Sequence, residues 1–290
     1  MNAMNEPFQA LAAGRSIGAI LIDSGRLTPE AAERVLKLQK EENLRFGDAA
    51  VRLGVLSEAD IQQALSHQFE YSYLAPGDER VSEEVVAAFK PFTPIVEQLR
   101  VLRSQLLLRW FDAEVGHNAL AIVSPGAGEG RSFIAANLAV VFSQLGERTL
   151  LIDADMRHPR QHELFRLPNK TGLSSVLAGR ERLGNVVARV PGLQNLTILP
   201  AGPVPPNPQE LLNRPMFGQL VSAMQRKLDV VIVDTPAGME TADCQAIASH
   251  IRGAVAIARK DVTASLDFQE LVTNLQQGGT TVVGSLLNKG

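Results

Sequence analysis

A glycine-rich turn between an apolar run and a helical pattern is the feature that most limits how this chain can fold. The apolar run covers residues 120–123, the glycine-rich stretch covers 124–132, and the helical pattern covers 133–145. Glycines let backbone N–H groups converge on phosphate oxygens, and the helix N-terminus behind them adds partial positive charge. The order of strand, turn and helix therefore predicts a phosphate-binding loop.

This loop departs from the usual pattern at two positions. Arg131 stands where a lysine is expected, and Pro125 occupies the place of the first glycine, five positions before Gly130. Ser132 keeps the hydroxyl that holds Mg²⁺ in such loops. An arginine retains positive charge beside the β- and γ-phosphates, but its planar fork differs in shape from an ammonium. We therefore expect weaker ATP turnover than a lysine would support.

Two other apolar runs end in carboxylates, the first at Asp153 with Asp155 and the second at Asp234. Alternate residues of an extended chain point to the same side, so the first two carboxylates project together. In open α/β sheets, ligands bind beyond the carboxyl ends of the strands. The sequence therefore predicts that Ser132, Asp153 and Asp234 meet around a magnesium-bound triphosphate. A helix cap or a solvated turn would explain any one of these acids alone.

Composition restricts the class of protein. The 290 residues suffice for a large domain and a small one, and a net charge of −3 does not favour a nucleic acid partner. The one cysteine, Cys244, excludes an intramolecular disulfide and fits a reducing compartment. No apolar run approaches the ~20 residues that span a bilayer, and no signal peptide is visible. We expect a cytoplasmic protein whose membrane role runs through a partner.

The N-terminal region contains an internal repeat with an offset of 29 residues. Gly18, Leu21, Gly25, Leu27, Leu36 and Gln39 recur as Gly47, Ala50, Gly54, Leu56, Leu65 and Gln68. Each copy predicts two helices separated by a glycine C-cap and a Ser/Thr-type N-cap. The predicted organisation is a helical tandem-repeat domain over 1–73, a linker over 74–94 with a short helix near 82–90, and an α/β domain over 95–290.

Strand and helix patterns alternate from residue 120 onward. The predicted strands are 120–123, 148–153, 196–199, 230–234, 254–258 and 281–287, and the predicted helices fall near 132–145, 172–178, 208–227, 241–250 and 263–276. This alternation predicts a mostly parallel sheet with helices on both faces.

The C-terminal part resembles the bacterial tyrosine kinases of capsule and exopolysaccharide synthesis, which are relatives of the ParA/MinD ATPases. Residues 128–132 match their phosphate loop, 153–159 match an Asp-x-Asp-x-Arg-x-Pro strand end, and 234–236 match a Walker B strand. The arginine form of the loop is similar to the EpsG-type chain-length kinases. The resemblance implies a P-loop NTPase fold of the ParA/MinD type and an ATP-dependent protein tyrosine kinase that regulates exopolysaccharide chain length and export.

The predicted mechanism is phosphoryl transfer from ATP with Mg²⁺. Asp153 or Asp155 would accept the proton of the attacking hydroxyl, and Arg131 would stabilise phosphate charge. The metal ligands would be Ser132, Asp153 and Asp234. The predicted nucleotide-binding residues are Gly128, Glu129, Gly130, Arg131, Ser132, Phe133 and, as a base contact after the last strand, Asn288.

The resemblance also implies partners. Glu97, Arg100 and Arg103 match a Glu-x-x-Arg-x-x-Arg helix that builds a subunit interface in ring assemblies. A homo-oligomer is therefore expected, together with a membrane chain-length determinant protein that places the chain peripherally at the inner membrane. An exposed helix face is the alternative interpretation of this helix.

Two functions remain open, because the sequence does not identify the residue that accepts the phosphate. Kinases of this family carry a C-terminal tyrosine cluster, whereas the only tyrosines here are Tyr71 and Tyr73, and the sequence stops two residues after Asn288. The three aspartates favour a tyrosine kinase. Arg131 and the missing cluster favour a nucleotide-binding adaptor that switches polysaccharide assembly without phosphorylating tyrosine.

The repeat resembles the N-terminal domain of type II secretion and type IV pilus ATPases, some of which bind cyclic di-GMP. This resemblance implies a ligand site at Arg45, Gly47, Gln39 and Gln68, although copy one places its arginine, Arg15, one position early. The alternative is a helical docking module whose glycines are caps and whose glutamines are solvated.

Overall fold

The computed structural model describes residues 16–58, 60, 61, 64, 73, 74, 77–112 and 115–289. The chain divides into two compact units between residues 75 and 76, and each unit has its own hydrophobic core. Among the described residues, no helix combines the length and the apolar character needed to cross a bilayer.

The first unit contains the helices α1 (Ile17–Asp23), α2 (Pro29–Glu42) and α3 (Phe46–Arg52). The two glycines predicted to end helices have positive φ angles, 70° at Gly25 and 65° at Gly54, which a residue with a side chain adopts only with strain. Thr28 caps α2 by accepting the N–H of Ala31 at 3.2 Å. Copy one of the repeat therefore forms the helix, glycine turn and capped helix that its sequence predicts.

The second unit is built on a seven-stranded sheet in the order β3–β4–β2–β5–β1–β6–β7. The strands are β1 (Ala119–Val123), β2 (Thr149–Asp153), β3 (Ala188–Val190), β4 (Leu193–Leu199), β5 (Val230–Asp234), β6 (Gly253–Arg259) and β7 (Thr281–Asn288). The short edge strand β3 is antiparallel to β4, and the other neighbours pair in parallel. Every residue of β1, β2 and β5 is buried, so helices cover both faces of the sheet.

The described helices of this unit are α4 (Val86–Phe89), α5 (Pro94–Arg109), α6 (Arg131–Gln144), α7 (Gln161–Leu164), α8 (Leu173–Leu177), α9 (Leu183–Val186), α10 (Pro208–Leu212), α11 (Pro215–Gln225), α12 (Asp243–Ile251) and α13 (Ser265–Gln277). Helix α6 is buried on nearly every side, because it lies against the sheet and under α4 and α5.

Residues 77–94 differ from the linker that the sequence predicts over 74–94, because they belong to the second unit. Val81 and Val85 are buried. The backbone of Ala87 donates to Asn137 Oδ1 at 2.9 Å, and its carbonyl accepts from Gln144 Nε2 at 2.9 Å. Small apolar side chains and these two hydrogen bonds hold the segment on α6.

Parallel register brings the predicted acidic residues to one edge of the sheet. Asp153, the last residue of β2, is paired in register with Asp234, the last residue of β5, and Ile122 of β1 pairs with Asp234 on its other side. Because β1 leads directly into the turn at 124–130, the phosphate loop begins beside both carboxylates.

Candidate nucleotide and magnesium site

The predicted phosphate loop curls over the carboxyl ends of β1 and β5 and leads into α6. Gly128 and Gly130 have φ angles of 72° and 101°, so the turn depends on residues without a Cβ at these positions. A cavity of about 210 Å³ opens in front of it, lined by residues 127–133 and by Asp155, Arg157 and Glu240. The loop and Asp155 therefore face one space.

Arg131 is 8% exposed, and its guanidinium is turned toward the base of this loop. Its Nε donates to the carbonyl of Thr235 at 2.8 Å, and its Nη1 donates to Ser124 Oγ and to the carbonyl of Gly126. These three partners are neutral oxygens. Arg131, at the end of the turn, is thus tied to the start of the turn and to Thr235, the residue after β5, and it also lines the cavity.

Asp153 and Asp234 are both fully buried. Asp153 Oδ2 accepts the backbone N–H groups of Arg160 at 3.0 Å and Gln161 at 2.9 Å. Asp234 Oδ2 accepts from Gln161 Nε2 at 2.8 Å, and Ser132 lies close enough to this carboxyl to lower its pKa. The three residues predicted to hold Mg²⁺ are therefore brought together.

Burial is the main influence on the acidity of both carboxyl groups. It raises the pKa of Asp153 well above its ordinary value, and the charge of Asp234 raises it further. Burial also raises the pKa of Asp234 to about 6, against the hydrogen bonds from Gln161 and Ser132 that lower it. A nearby cation would favour the ionised form of both groups.

The donor set fits a magnesium ion bound together with a nucleotide. Asp153 Oδ1 and Asp234 Oδ1 are buried and have no hydrogen-bond partner within the part of the chain that the structure describes. Over the same residues, no group of three or more His, Cys, Asp or Glu side chains is spaced to bind a metal by itself. Mg²⁺ commonly takes one or two carboxylates and completes its shell with phosphates and water.

Asp155 lies nearer the surface of the same cavity and is 6% exposed. Its Oδ1 accepts the backbone N–H groups of Arg157 at 3.1 Å and His158 at 2.9 Å. Arg157 in turn pairs with the buried Asp243 at the start of α12 at 2.7 Å. These contacts fix the Asp155 carboxylate at the edge of the cavity.

Side chains from β6 and β7 hold the loop from the other side. Glu129 Oε2 accepts the N–H of Gly126 at 2.8 Å, and its Oε1 accepts from Thr263 Oγ1. Arg259 donates to the carbonyl of Gly128 at 2.9 Å, and Asn288 Nδ2 donates to the carbonyl of Glu129 at 3.0 Å. Asn288, predicted as a base contact, therefore lies at the site and binds the loop itself.

The predicted interface residues have separate environments. Glu97 and Arg100 form an ion pair within α5 at 3.0 Å. Arg103 is only 9% exposed and donates to the carbonyl of Val141, near the end of α6, at 2.6 Å. The Arg103 side chain is therefore engaged within the fold, and the subunit-interface role of this helix stays a prediction.

The N-terminal residues predicted to bind cyclic di-GMP are only partly within the described structure. Arg45 is exposed before α3, Gln39 is half-buried on α2, and Gln68 lies outside the described residues, as does Tyr71. A Cβ on Gly47 would approach Ile61 Cγ2 to 2.9 Å, so close helix packing already explains that glycine.

Three residues at the site were not predicted from the sequence. Gln161 contacts both buried aspartates, and Thr263 and Arg259 hold the loop. Gln161 follows the aspartate motif by a few residues, which is the one local signal available for it. Arg259 is the last residue of β6 and Thr263 stands in the turn that follows, and neither belongs to a recognisable motif.

Comparison with known proteins gives a family model and curated relatives. A model of the CobQ/CobB/MinD/ParA nucleotide binding domain matches residues 120–289. The putative tyrosine-protein kinase CapB of Staphylococcus aureus is 32% identical over 200 residues, which cover 69% of this chain and 86% of CapB. The tyrosine-protein kinase Wzc of Salmonella typhi is 33% identical over 205 residues, which cover 71% of this chain but 28% of Wzc. The chain thus spans most of one relative and a small part of the other.

Solved structures give the same assignment of the fold. The kinase domain of Escherichia coli tyrosine kinase ETK matches with a TM-score of 0.67 at 31% identity, covering 70% of this chain and 79% of that domain. The cell division ATPase MinD of Pyrococcus furiosus matches with a TM-score of 0.52 at 21% identity, covering 59% and 71%. The predicted MinD-like parallel sheet is confirmed.

Proposed function

Because this chain belongs to the CobQ/CobB/MinD/ParA nucleotide-binding family and, within it, to the bacterial tyrosine kinases, we propose that it is an ATP-dependent protein tyrosine kinase that regulates exopolysaccharide chain length and export. The observation that carries the proposal is the meeting of Ser132, Asp153 and Asp234 beside the phosphate loop, with two buried carboxylate oxygens left without a hydrogen-bond donor. This arrangement suits a magnesium-bound triphosphate.

In this proposal the backbone N–H groups of residues 128–133 bind the phosphates of ATP, and α6 adds the positive end of its dipole. Ser132, Asp153 and Asp234 would hold Mg²⁺ directly or through its water. When bound, the ion would neutralise negative charge that develops on the phosphates. Arg131 would stabilise the loop and contribute positive charge beneath it.

Proton transfer is assigned to Asp155. The tyrosine oxygen attacks the γ-phosphorus, its proton passes to the Asp155 carboxylate, and the bond from the γ-phosphorus to the oxygen of ADP breaks. Asp155 lines the cavity and is held at its edge, whereas Asp153 is fully buried and bound to two backbone N–H groups. Asp155 is therefore the better placed of the two predicted bases.

The proposal includes the predicted partners and location. The chain would act in the cytoplasm, peripheral to the inner membrane, through a membrane chain-length determinant protein and as a homo-oligomer. Support comes from the Glu-x-x-Arg-x-x-Arg resemblance of α5, where Glu97 remains at the surface. Val101 and Leu108 of the same helix are 52% and 86% exposed, which favours a covered face in an assembly.

The decisive experiment incubates the full chain with Mg·ATP and follows both ADP release and phosphotyrosine by mass spectrometry. A synthetic tyrosine-containing copolymer serves as a second acceptor, and the Tyr71→Phe/Tyr73→Phe variant tests the chain's own tyrosines. Phosphotyrosine on either acceptor supports the kinase. Absence of Mg·ATP binding would refute the nucleotide site altogether.

An ATP-binding switch without kinase activity is the second candidate, and the position of Arg131 favours it. Its guanidinium is already engaged with three oxygens of the loop and of β5. ATP hydrolysis without phosphotyrosine on either acceptor would select this function. Calorimetric titration of the full chain with cyclic di-GMP tests the ligand prediction for the N-terminal unit separately.

A further inference from the structure

One buried glutamine contacts all three residues of the proposed magnesium site. Gln161, the first residue of α7, is 0% exposed. Its backbone N–H donates to Asp153 Oδ2 at 2.9 Å, and its Nε2 donates to Asp234 Oδ2 at 2.8 Å and to the carbonyl of Ser132 at 3.1 Å. A single residue thus connects β2, β5 and the start of α6.

The orientation of this amide follows from its partners. A carboxylate and a backbone carbonyl can only accept, so the NH₂ group of Gln161 must face Asp234 and Ser132. Its Oε1 is therefore directed elsewhere, and it is buried without a hydrogen-bond partner among the described residues, as are Asp153 Oδ1 and Asp234 Oδ1. Three buried acceptors without a donor are costly, and a hydrated cation supplies both charge and donors.

We propose that Gln161 is a positioning residue that holds Asp153, Asp234 and Ser132 in the arrangement that binds hydrated Mg²⁺, and that it thereby sets the magnesium affinity of the nucleotide complex. The inference rests on the proposed function, since it assigns Gln161 to the same nucleotide site. Groups that orient metal-binding side chains typically change metal affinity by roughly 10- to 100-fold when they are removed.

The alternative is that Gln161 only fills space under the loop. The two roles differ in what they affect. Among the described residues, the hydrogen bonds of Gln161 go to Asp153, Asp234 and the carbonyl of Ser132, and none involves the N–H groups of residues 128–133 that would bind the phosphates. A positioning role therefore concerns Mg²⁺ rather than the phosphates. A space-filling role would weaken the fold and would lower nucleotide binding with and without metal alike.

The test compares Gln161→Met, which keeps the length of the side chain but has no donor, with the wild-type full chain. Binding of a fluorescent ATP analogue is titrated with Mg²⁺ and repeated in EDTA, and thermal unfolding is recorded. Gln144→Met is the matched control, because Gln144 is also buried on this side of the sheet and donates to a backbone carbonyl, that of Ala87.

The expected result is a roughly 10- to 100-fold loss of Mg²⁺ affinity in Gln161→Met with the affinity in EDTA unchanged within about twofold, and no loss of Mg²⁺ affinity in Gln144→Met. If Gln161→Met does not fold, the same titrations are made with Gln161→Asn, which keeps the amide but shortens the side chain. Equal losses with and without Mg²⁺, or an unchanged Mg²⁺ titration, would overturn the inference. A wild-type chain that binds no Mg·ATP would instead overturn the proposed function.

Discussion

Asp153 and Asp234 stand opposite each other on neighbouring parallel strands, and both are fully buried. Burial, and after it the negative charge of Asp234, raises the pKa of Asp153. Two carboxylates in this position oppose the stability of the metal-free fold at neutral pH, because both must ionise without water around them. Their arrangement is understandable once a cation is present between the strand ends and the phosphates.

The first prediction concerns Asp234→Asn and pH. The pKa of Asp234 is about 6 in the folded chain and 3.8 as its ordinary value, so its contribution to stability is complete below pH 3.8 and is lost as the pH rises through about 6. Removing the ionisable group should therefore raise the free energy of unfolding of the metal-free protein above pH 6, by roughly 1–2 kcal/mol after the altered hydrogen bonds are considered. Urea unfolding at pH 5 and pH 8 measures this.

Asp229→Asn is the control at the other end of the same strand. Its hydrogen bond with the Arg148 side chain lowers the pKa of Asp229, so its contribution is present above pH 3.8 and is lost as the pH falls through the lowered pKa. This variant should lose stability at pH 8 and resemble the wild type in strong acid. If the two variants changed the free energy of unfolding in the same direction at pH 8, the opposite pH dependences inferred for Asp234 and Asp229 would be wrong.

The second prediction concerns Arg131→Lys. A lysine lacks the fork that binds Thr235, Ser124 and Gly126 at once, and its compact ammonium is free to contact the phosphates. We expect ATP turnover at saturating Mg·ATP to rise by at least about threefold while the melting temperature falls by a few degrees. Phosphate release provides the measurement, and Arg148→Lys at the opposite edge of the sheet provides the control. No gain in turnover would count against a phosphate-directed role for this position.

The third prediction concerns Thr263→Val. Valine keeps the shape but removes the hydroxyl that donates to Glu129 and accepts the N–H of Arg259 at 2.7 Å. The loop should become more mobile, and ATP affinity should fall roughly tenfold, the usual size for loss of a hydrogen bond to a charged group. Thr263→Ser should restore it. Thr273→Val, which removes a hydroxyl bonded within α13, should leave ATP affinity unchanged.

The fourth prediction concerns Gly130→Ala. A Cβ at Gly130 would meet Asn288 Nδ2 at 2.4 Å, and the φ angle of 101° strains any residue with a side chain. ATP binding should be lost in a calorimetric titration. Gly179→Ala shares the positive φ, 73°, but has open space around its Cβ. It should lose about 1 kcal/mol of stability and retain ATP binding, so loss of binding in both variants would point to general destabilisation.

Features encoded within a few neighbouring residues could be predicted from the sequence. The glycine turn before α6 and the carboxylates after β2 and β5 are local patterns, and the rule that parallel strands place their carboxyl ends at one edge was enough to bring them together. The same holds for the glycine turns of the N-terminal unit, whose positive φ angles follow from the residue type.

Features that depend on distant packing could not be predicted in this way. Thr263 and Glu129 are 134 residues apart, and no pattern around Thr263 marks it as a partner of the loop. In the sequence, Arg103 looks like any arginine on an exposed helix face. Its burial comes from packing against α6, where it donates to the carbonyl of Val141. No local pattern marks Val81 and Val85 as core residues, so the sequence predicts a linker over 74–94 although both side chains are buried in the second unit.

The hydrogen bond from Asn288 to Glu129 joins the first strand–turn–helix element of the α/β unit to β7, the last strand of its sheet in chain order. Nearly the whole α/β unit must therefore be synthesised before the hydrogen bond between Asn288 and the phosphate loop can form. Because synthesis proceeds from the N-terminus, the growing chain would bind ATP only after most of the α/β unit has been made. ATP binding would then indicate that all strands of the sheet have assembled.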